Sequence, residues 1–344
     1  MIRFLSRWSA VPLAVLTIVS VAPVAASAEP TGATVTWAVQ PADAQGPDGR
    51  RWIEHTLDPG AVVTEHLAVR NFGDSPVVFA LQAADGYLTD KGRFNMLTSG
   101  QESVDGGTWI TLPETVTVGA KQTTVVPFTI TVPPDATPGD HPAGVAATVT
   151  STGGTVAVQS RVGFRVMLRA SGTVAAAVAV EGLAVRYQRS WNPFAAGGVH
   201  LTYTARNTGN VAVTGDSTAR VTEVFGLADR TASAGVPELL PGDGRQVEAH
   251  VGGVWGLGRI TTTVEVTPAV LSGDPGGAEI RPTTTTVTVW TVPWAQLAVI
   301  VLIGALLLGW RTIVRRRRRQ LARLLDQARD QGRVEGRESV RAAD

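Results

Sequence analysis

The sequence predicts an all-β protein with two β-sandwich domains in tandem, followed by a single C-terminal transmembrane helix. Short runs of alternating apolar and polar residues recur from about residue 34 to residue 290, and turn residues close each run. Alternation with a period of two is typical of strands that bury one face. One apolar run near the C-terminus is long enough to cross a bilayer. The chain has no Cys, which excludes a disulfide framework and a thiolate metal site.

The N-terminus has the layout of a secretory signal peptide over residues 1–28. Arg3 and Arg7 precede an apolar stretch from residue 11 to residue 24. Ala26-Ser27-Ala28 then supplies the small residues that a signal peptidase requires. We expect cleavage after Ala28, and the alternative is an uncleaved N-terminal anchor.

The C-terminal apolar segment predicts a transmembrane helix over residues 292–314. Residues 293–314 would span about 33 Å as a helix, which suits a hydrocarbon core of roughly 30 Å. The Arg cluster that follows predicts a single-pass cell-membrane protein, with its N-terminal ectodomain outside and a basic cytoplasmic tail over residues 315–344. The predicted membrane-interface residues are Trp294, Trp310, Arg311, Arg315, Arg316, Arg317, Arg318 and Arg319.

The tail itself has two interpretations. Leu321, Leu324, Leu325 and Ala328 recur at helical spacing among charged residues, which is compatible with a short amphipathic helix on anionic lipid. The alternative, which the charge density favours, is a solvated segment that stops translocation.

Residues 29–171 are predicted to form the first sandwich. Val126, Phe128 and Ile130 alternate with polar residues, which indicates one buried face. Pro127 cannot donate a ladder hydrogen bond, so it predicts an edge strand or a bulge. The candidate strands are residues 34–39, 62–69, 77–83, 108–112, 124–132, 144–150 and 155–168.

Residues 172–291 are predicted to form a second, related sandwich. Arg70-Asn71-Phe72-Gly73-Asp74 and Arg206-Asn207-Thr208-Gly209-Asn210 share the spacing R-N-x-G-[DN], where a strand ends and a turn begins. Two successive regions of short alternating strands separated by turns indicate immunoglobulin-like sandwiches. The candidate strands are residues 173–180, 185–188, 199–206, 217–225, 245–251, 260–266 and 283–290.

The sequence carries no recognisable catalytic constellation. Its five His residues lack metal-ligand spacing, and no nucleophile elbow, P-loop or dinucleotide fingerprint occurs. We therefore predict no enzyme activity and no cofactor; the weakest alternative is a wall-modifying enzyme with paired carboxylates. Residues 29–310 hold 17 basic and 24 acidic residues, which argues against nucleic acid as a partner.

A Gly-, Asp- and Asn-rich loop offers the best candidate binding residues. Aromatic rings on such loops can stack against sugars or anchor a peptide. The predicted ligand-binding residues are Asp85, Tyr87, Arg93, Phe94 and Asn95.

Several turn motifs resemble the peptidoglycan-binding domain of WxL-interacting proteins, in the form found in actinobacterial cell-surface proteins. They include Leu57-Asp58-Pro59-Gly60, Val69-Arg70-Asn71-Phe72-Gly73, Ala84-Asp85-Gly86-Tyr87 and Pro133-Pro134-Asp135. The resemblance covers about residues 34–170. It implies a sandwich that binds cell-wall peptidoglycan, with a surface or WxL-type protein as a further partner.

Two hypotheses of function follow. The first is a non-catalytic, membrane-anchored cell-surface protein that binds peptidoglycan through its first sandwich and touches membrane lipid through one helix. The second is a surface protein-assembly or adhesion receptor, which presents an exposed strand edge or the second sandwich to a partner protein.

Overall fold

The structure is a computed structural model that describes residues 35–153, 156–226, 229–271 and 277–341. The predicted signal peptide, residues 1–28, lies outside the described residues. Sandwich domains followed by one long C-terminal apolar helix make up the described chain, so the all-β prediction with a terminal helix is confirmed at this level.

The first sandwich comprises strands β1 to β10 in two sheets. One sheet has the order β1-β3-β8-β6, and the other has the order β2-β10-β9-β4-β5, with β7 also paired to β4. The strands are β1 Trp37–Ala42, β2 Ile53–Leu57, β3 Val62–Asn71, β4 Val77–Leu88, β5 Phe94–Met96, β6 Ile110–Thr111, β7 Thr115–Val118, β8 Thr123–Thr131, β9 Gly139–Gly153 and β10 Val156–Ala170.

Alternate residues of the two sheets fill the space between them. Leu67, Val69, Phe79, Ile130 and Leu168 are each at most 1% exposed and belong to one continuous core. Full burial of such a side chain stabilises the fold by roughly 1.5–3 kcal/mol. The period-2 pattern in the sequence therefore does set which face of each strand is buried.

The second sandwich comprises strands β11 to β18 and has a core of its own around Leu201, Tyr203 and Leu239. Its sheets have the orders β15-β12-β11-β17 and β14-β13-β16-β18. The strands are β11 Ala175–Gln188, β12 Gly197–Asn207, β13 Val213–Thr222, β14 Asp229–Leu239, β15 Gly244–Val254, β16 Gly258–Val270, β17 Glu279–Arg281 and β18 Thr283–Thr291.

The structure corrects several predicted elements. The strand expected over residues 108–112 begins instead as a 3₁₀ helix, Gly106–Trp109. The two strands expected over residues 173–188 are one strand, β11, with a register shift between Glu181 and Ala184, where Gly182 has a φ of 63°. The strands β2, β5, β7, β14 and β17 were not predicted, because four of them have at most five residues and β14 lacks a long apolar run.

The two sandwiches meet in a small interface. Met167 of β10 packs with Ala212 and Leu240 of the second sandwich, and Leu88 covers the cluster. The side chain of Asn210 donates to the carbonyls of Pro138 and Thr173 at 2.7 and 3.0 Å. Apolar packing and backbone-directed hydrogen bonds therefore both join the two modules.

The described part of the chain contains one α-helix, α1, which runs from Trp294 to Arg341. Among the described residues, it is the one helix that is long and apolar enough to cross a membrane. The tail continues this helix as far as Arg341, and most of its side chains up to residue 333 are exposed. Arg, Leu, Gln and Ala are strong helix formers, and no Pro occurs in the tail to stop the helix.

Candidate functional site

The strand β10 is paired on both sides for only part of its length. It pairs with β9 from Val156 to Ala170, whereas β2 covers its other side only from Val166 to Ala170. Within the part of the chain that the structure describes, residues 156–165 have no strand partner on the β2 side. We call residues 159–165 of this stretch the open edge. Its unpaired backbone groups form a template for another strand.

Residues along the open edge alternate between the core and the outer face of the sheet. Val162 and Phe164 pack against the core, where Phe164 is 8% exposed. Arg161, Gly163 and Arg165 face outward. An added strand would therefore meet apolar side chains on one face and cationic side chains on the other.

Arg161 reaches across the outer face of the sheet, away from the open edge. Its guanidinium donates to the carbonyls of Leu97 and Met96 at 2.8 and 3.0 Å, and to Oδ1 of Asn95 at 3.2 Å. The strand β5, which contains Asn95 and Met96, lies at the opposite end of the sheet from the open edge. The Arg161 side chain therefore leaves the backbone of the open edge uncovered.

Arg161 and Arg165 line a cleft of about 160 Å³ on this outer face. The guanidinium of Arg165 lies 5.0 Å from the centroid of the Phe94 ring and forms an ion pair with Glu238 of β14. Cation–π stacking holds the guanidinium in place. The other residues that line the cleft are Phe94, Asn95, Met96, Ala146, Gly163 and Phe164. Both charged side chains in the lining are cationic, so the cleft favours an acidic group.

The structure brings together part of the predicted ligand-binding set. Phe94 and Asn95 line the cleft, and the amide of Asn95 donates to the hydroxyl of Tyr87 at 3.2 Å. Tyr87 pairs with Asn95 across a β4–β5 hairpin, so the predicted loop is largely strand. Arg93 is exposed at the end of the hairpin turn.

Asp85 lies apart from the cleft and holds a loop in place. Its carboxylate accepts the backbone N–H groups of Val104, Asp105 and Gly107 at 2.7, 3.0 and 2.7 Å. A Cβ on Gly107 would lie 2.3 Å from the backbone nitrogen of Asp85, so only Gly fits this close approach. These bonds curl the backbone into the 3₁₀ helix where a strand was expected, and they occupy the carboxylate.

His141 supports the same loop. One ring nitrogen faces the carboxylate of Asp105 and the other faces the carbonyl of Thr137 at 2.8 Å, while the ring stacks on Trp109. Burial lowers the pKa of His141, but the hydrogen bonds to Asp105 and Thr137 outweigh burial, so the net pKa is raised. Because both neighbours accept hydrogen bonds, the geometry suits the doubly protonated imidazolium.

Sequence reasoning missed Arg161 and Arg165, the two charged residues of the cleft. The signal was present, because Arg161 and Arg165 lie at even spacing within one predicted strand and must share a face. Among the described residues, no group of three or more side chains is arranged to hold a metal ion.

No known protein family matches the chain, and no curated protein resembles it in sequence. Solved structures with partial likeness include a chaperone–tip adhesin complex of CFA/I fimbriae biogenesis, with 8% identity, a TM-score of 0.37, and coverage of 75% of this chain and 99% of that chain. Another is the class 5 fimbriae chaperone CfaA, with 10% identity, a TM-score of 0.34, and coverage of 70% and 97%. The Pseudomonas aeruginosa CupB2 chaperone has 14% identity, a TM-score of 0.27, and coverage of 69% and 97%.

The predicted membership in the WxL-interacting protein family is wrong, and so is peptidoglycan as the predicted ligand. No family matches the chain, and the three solved structures named above are of chaperones rather than of peptidoglycan-binding proteins. Some of the residues that carry the resemblance form turns. Asn71 accepts the N–H of Gly73 at 2.8 Å, and Asn207 accepts the N–H of Gly209 at 2.9 Å in the second sandwich, which the resemblance did not cover. The motif therefore marks a turn rather than a ligand.

Proposed function

We propose that this chain is a non-catalytic, membrane-anchored protein that binds an extended segment of a partner protein along the open edge of β10. In this proposal, residues 29–171 and 172–291 are two immunoglobulin-like domains, and residues 292–314 cross the cell membrane. The ectodomain lies outside, and residues 315–344 are cytoplasmic. The Arg residues after Trp310 would hold that orientation.

The observation that carries the proposal is the incomplete cover of β10. β2 begins at the level of Val166, where Ile53 pairs with it, so a strand added beside residues 159–165 would lie on the same side of β10, ahead of the first residue of β2. Strand addition of this kind takes its affinity from main-chain hydrogen bonds and its specificity from alternate side chains. The apolar side chains of the added strand would pack beside Val162 and Phe164.

The positive charge of the outer face predicts which residues the bound partner segment carries. Side chains of an added strand lie about 4.5–5.5 Å from those of its neighbour. On the outer face these neighbours are Arg161 and Arg165, whose guanidinium groups lie in the cleft, against β5 and, for Arg165, Glu238. An acidic side chain of the added strand that extends into the cleft would approach both cations. We therefore expect a segment that alternates apolar residues with Asp or Glu.

Synthetic peptides test this proposal with the full-length chain in nanodiscs. One labelled peptide alternates Val and Thr with Glu, a second has Lys in place of Glu, and a third is the acidic peptide with N-methyl groups on alternate residues. We expect the acidic peptide to bind best, and N-methylation to weaken binding about tenfold or more, because it removes backbone donors. Equal binding of the acidic and N-methylated peptides would contradict strand addition.

A blocking experiment locates the site. Because the chain has no Cys, Ser160→Cys can carry a bulky maleimide label on the open edge. The matched control is the same label on Thr284→Cys, an exposed residue of the edge strand β18. We expect the label at residue 160 to abolish peptide binding and the label at residue 284 to leave it unchanged. The reverse result would move the binding site to the second sandwich.

A further inference from the structure

Exposed aromatic side chains are concentrated near the start of helix α1. Trp191 and Phe194, on the loop between β11 and β12, are 91% and 80% exposed. Trp290, at the end of β18, is 77% exposed, and Leu257 is 45% exposed. Groups of exposed apolar side chains mark sites of interaction with proteins or membranes. We call these four residues the membrane-proximal patch.

The backbone connects this patch tightly to the helix. Only Val292 and Pro293 separate β18 from α1. The hydroxyl of Thr291 lies 2.7 Å from the carbonyl of Gly256 and 3.0 Å from that of Gly258 and shares its one hydrogen between them, which ties the helix entry to the loop that contains Leu257. The second sandwich therefore has little freedom to move away from the start of the helix.

The β11–β12 loop also lies against the helix entry. A cavity of about 240 Å³ is lined on one side by Arg189, Trp191 and Trp255, and on the other by Trp294 and Ala298. Trp191 is thus placed beside Trp294, the predicted interfacial residue at the outer end of the membrane segment. The β11–β12 loop therefore lies next to the first turn of α1.

The loop is built to present its aromatic tip. The side chain of Asn192 accepts the N–H of Phe194 at 2.9 Å, and the hydroxyl of Ser190 accepts the N–H of Asn192 at 3.2 Å. These local turns hold Phe194 at the surface rather than in the core. Tyr187 fixes the base of the loop by donating to the carbonyl of Val254 at 3.2 Å.

We propose that the membrane-proximal patch inserts into the headgroup region of the outer leaflet, so that the second sandwich rests on the lipid surface. This inference depends on the membrane anchoring in the proposed function. Continuity with the helix identifies lipid as the occupant, because Trp290 of the patch lies only four positions before Trp294, the first residue of α1. Trp suits this layer because its ring is apolar and its N–H is polar, Phe194 and Leu257 add apolar surface, and Arg189 can pair with lipid phosphate.

Fluorescence quenching tests the proposal with the full-length chain in nanodiscs of phosphatidylcholine and phosphatidylglycerol. Single-Cys variants carry an environment-sensitive label, and a spin-labelled lipid quenches any label that it contacts. Ala195→Cys reports on the loop without removing either aromatic residue. Leu302→Cys reports on the helix, and Val104→Cys, 86% exposed in the first sandwich, is the control in water.

We expect quenching of the labels at residues 195 and 302 and none at residue 104. Adding Trp191→Ser and Phe194→Ser to Ala195→Cys should remove the quenching at residue 195 and leave that at residue 302 unchanged. Quenching at residue 302 without quenching at residue 195 would overturn the membrane-proximal patch. Absence of quenching at residue 302 would instead overturn the proposed membrane anchor.

Discussion

Arg169 and Asp140 form a two-point ion pair at the junction of the two sandwiches. Nε of Arg169 lies 2.5 Å from Oδ1 of Asp140, and a terminal nitrogen lies 3.0 Å from Oδ2. The same Oδ2 accepts the N–H of Ala212, in the second sandwich, at 2.6 Å. Both side chains are at least nine-tenths buried. One carboxylate therefore neutralises a cation of β10 and holds the neighbouring module.

Replacement of this Arg should be costly. Arg169→Met leaves the Asp140 carboxylate buried without its cation, so we expect the free energy of unfolding to fall by about 3–5 kcal/mol. Denaturant titration of the full-length chain in detergent measures this change. The matched control is Arg206→Met, which removes an exposed pair with Glu181 and should cost less than about 1 kcal/mol. Equal losses in the two variants would contradict the structural role of the buried pair.

His141 predicts a pH-dependent contribution to stability. Its pKa is raised in the folded state, above the value of about 6.5 for an unfolded His. The stabilisation is therefore complete below that value and is lost as the pH rises through the folded pKa. We expect the difference in unfolding free energy between the native chain and His141→Gln to be largest near about pH 5.5 and to shrink towards about pH 8.5.

Asp105 supplies the control for this prediction. Asp105→Asn removes the negative charge that faces His141. We therefore expect the difference in unfolding free energy between Asp105→Asn and the double variant Asp105→Asn/His141→Gln to depend much less on pH. A difference that grows with pH in the native background would show that burial of the neutral imidazole dominates instead.

Substitution of the turn Asn should destabilise each of the two sandwiches in the same way. The amide of Asn71 donates to the carbonyl of Ser75, and that of Asn207 donates to the carbonyl of Val211, each at 2.8 Å. Asn71→Ala and Asn207→Ala each leave buried backbone groups unpaired, which costs about 1–3 kcal/mol per group. Hydrogen exchange can measure the loss locally, and each variant should weaken protection mainly in its own sandwich. Loss of protection in the other sandwich alone would refute the assignment.

Asp85 should act through the loop rather than through a ligand. In Asp85→Asn, an amide NH₂ group replaces one of the carboxylate oxygens that accept hydrogen bonds from backbone N–H groups. Two donors then face each other, so we expect the free energy of unfolding to fall by roughly 1–3 kcal/mol. Binding of the acidic peptide should change little at temperatures where the variant is folded. A selective loss of peptide binding with unchanged thermal unfolding would instead place Asp85 in the binding site.

The sequence predicts a structural element where the residues of one short stretch of chain are sufficient to specify it. The alternation of Val126, Phe128 and Ile130 predicted a half-buried strand, and Asn71 and Asn207 predicted two turns. The apolar run after Pro293 predicted a long helix. Each of these signals depends on neighbours within one turn or strand, so no distant partner is needed to interpret it.

The sequence by itself determined the alternation of the strands, the turns between them and the terminal apolar helix, because these follow from backbone geometry and side-chain polarity within short windows. Only the tertiary structure decided which strands became neighbours. The open edge exists because Ile53 of β2 pairs with Val166 of β10, a parallel contact between distant segments that no local pattern encodes. The same long-range folding turned Asp85 towards its loop, brought Arg165 to Glu238 and placed Trp191 beside the start of helix α1.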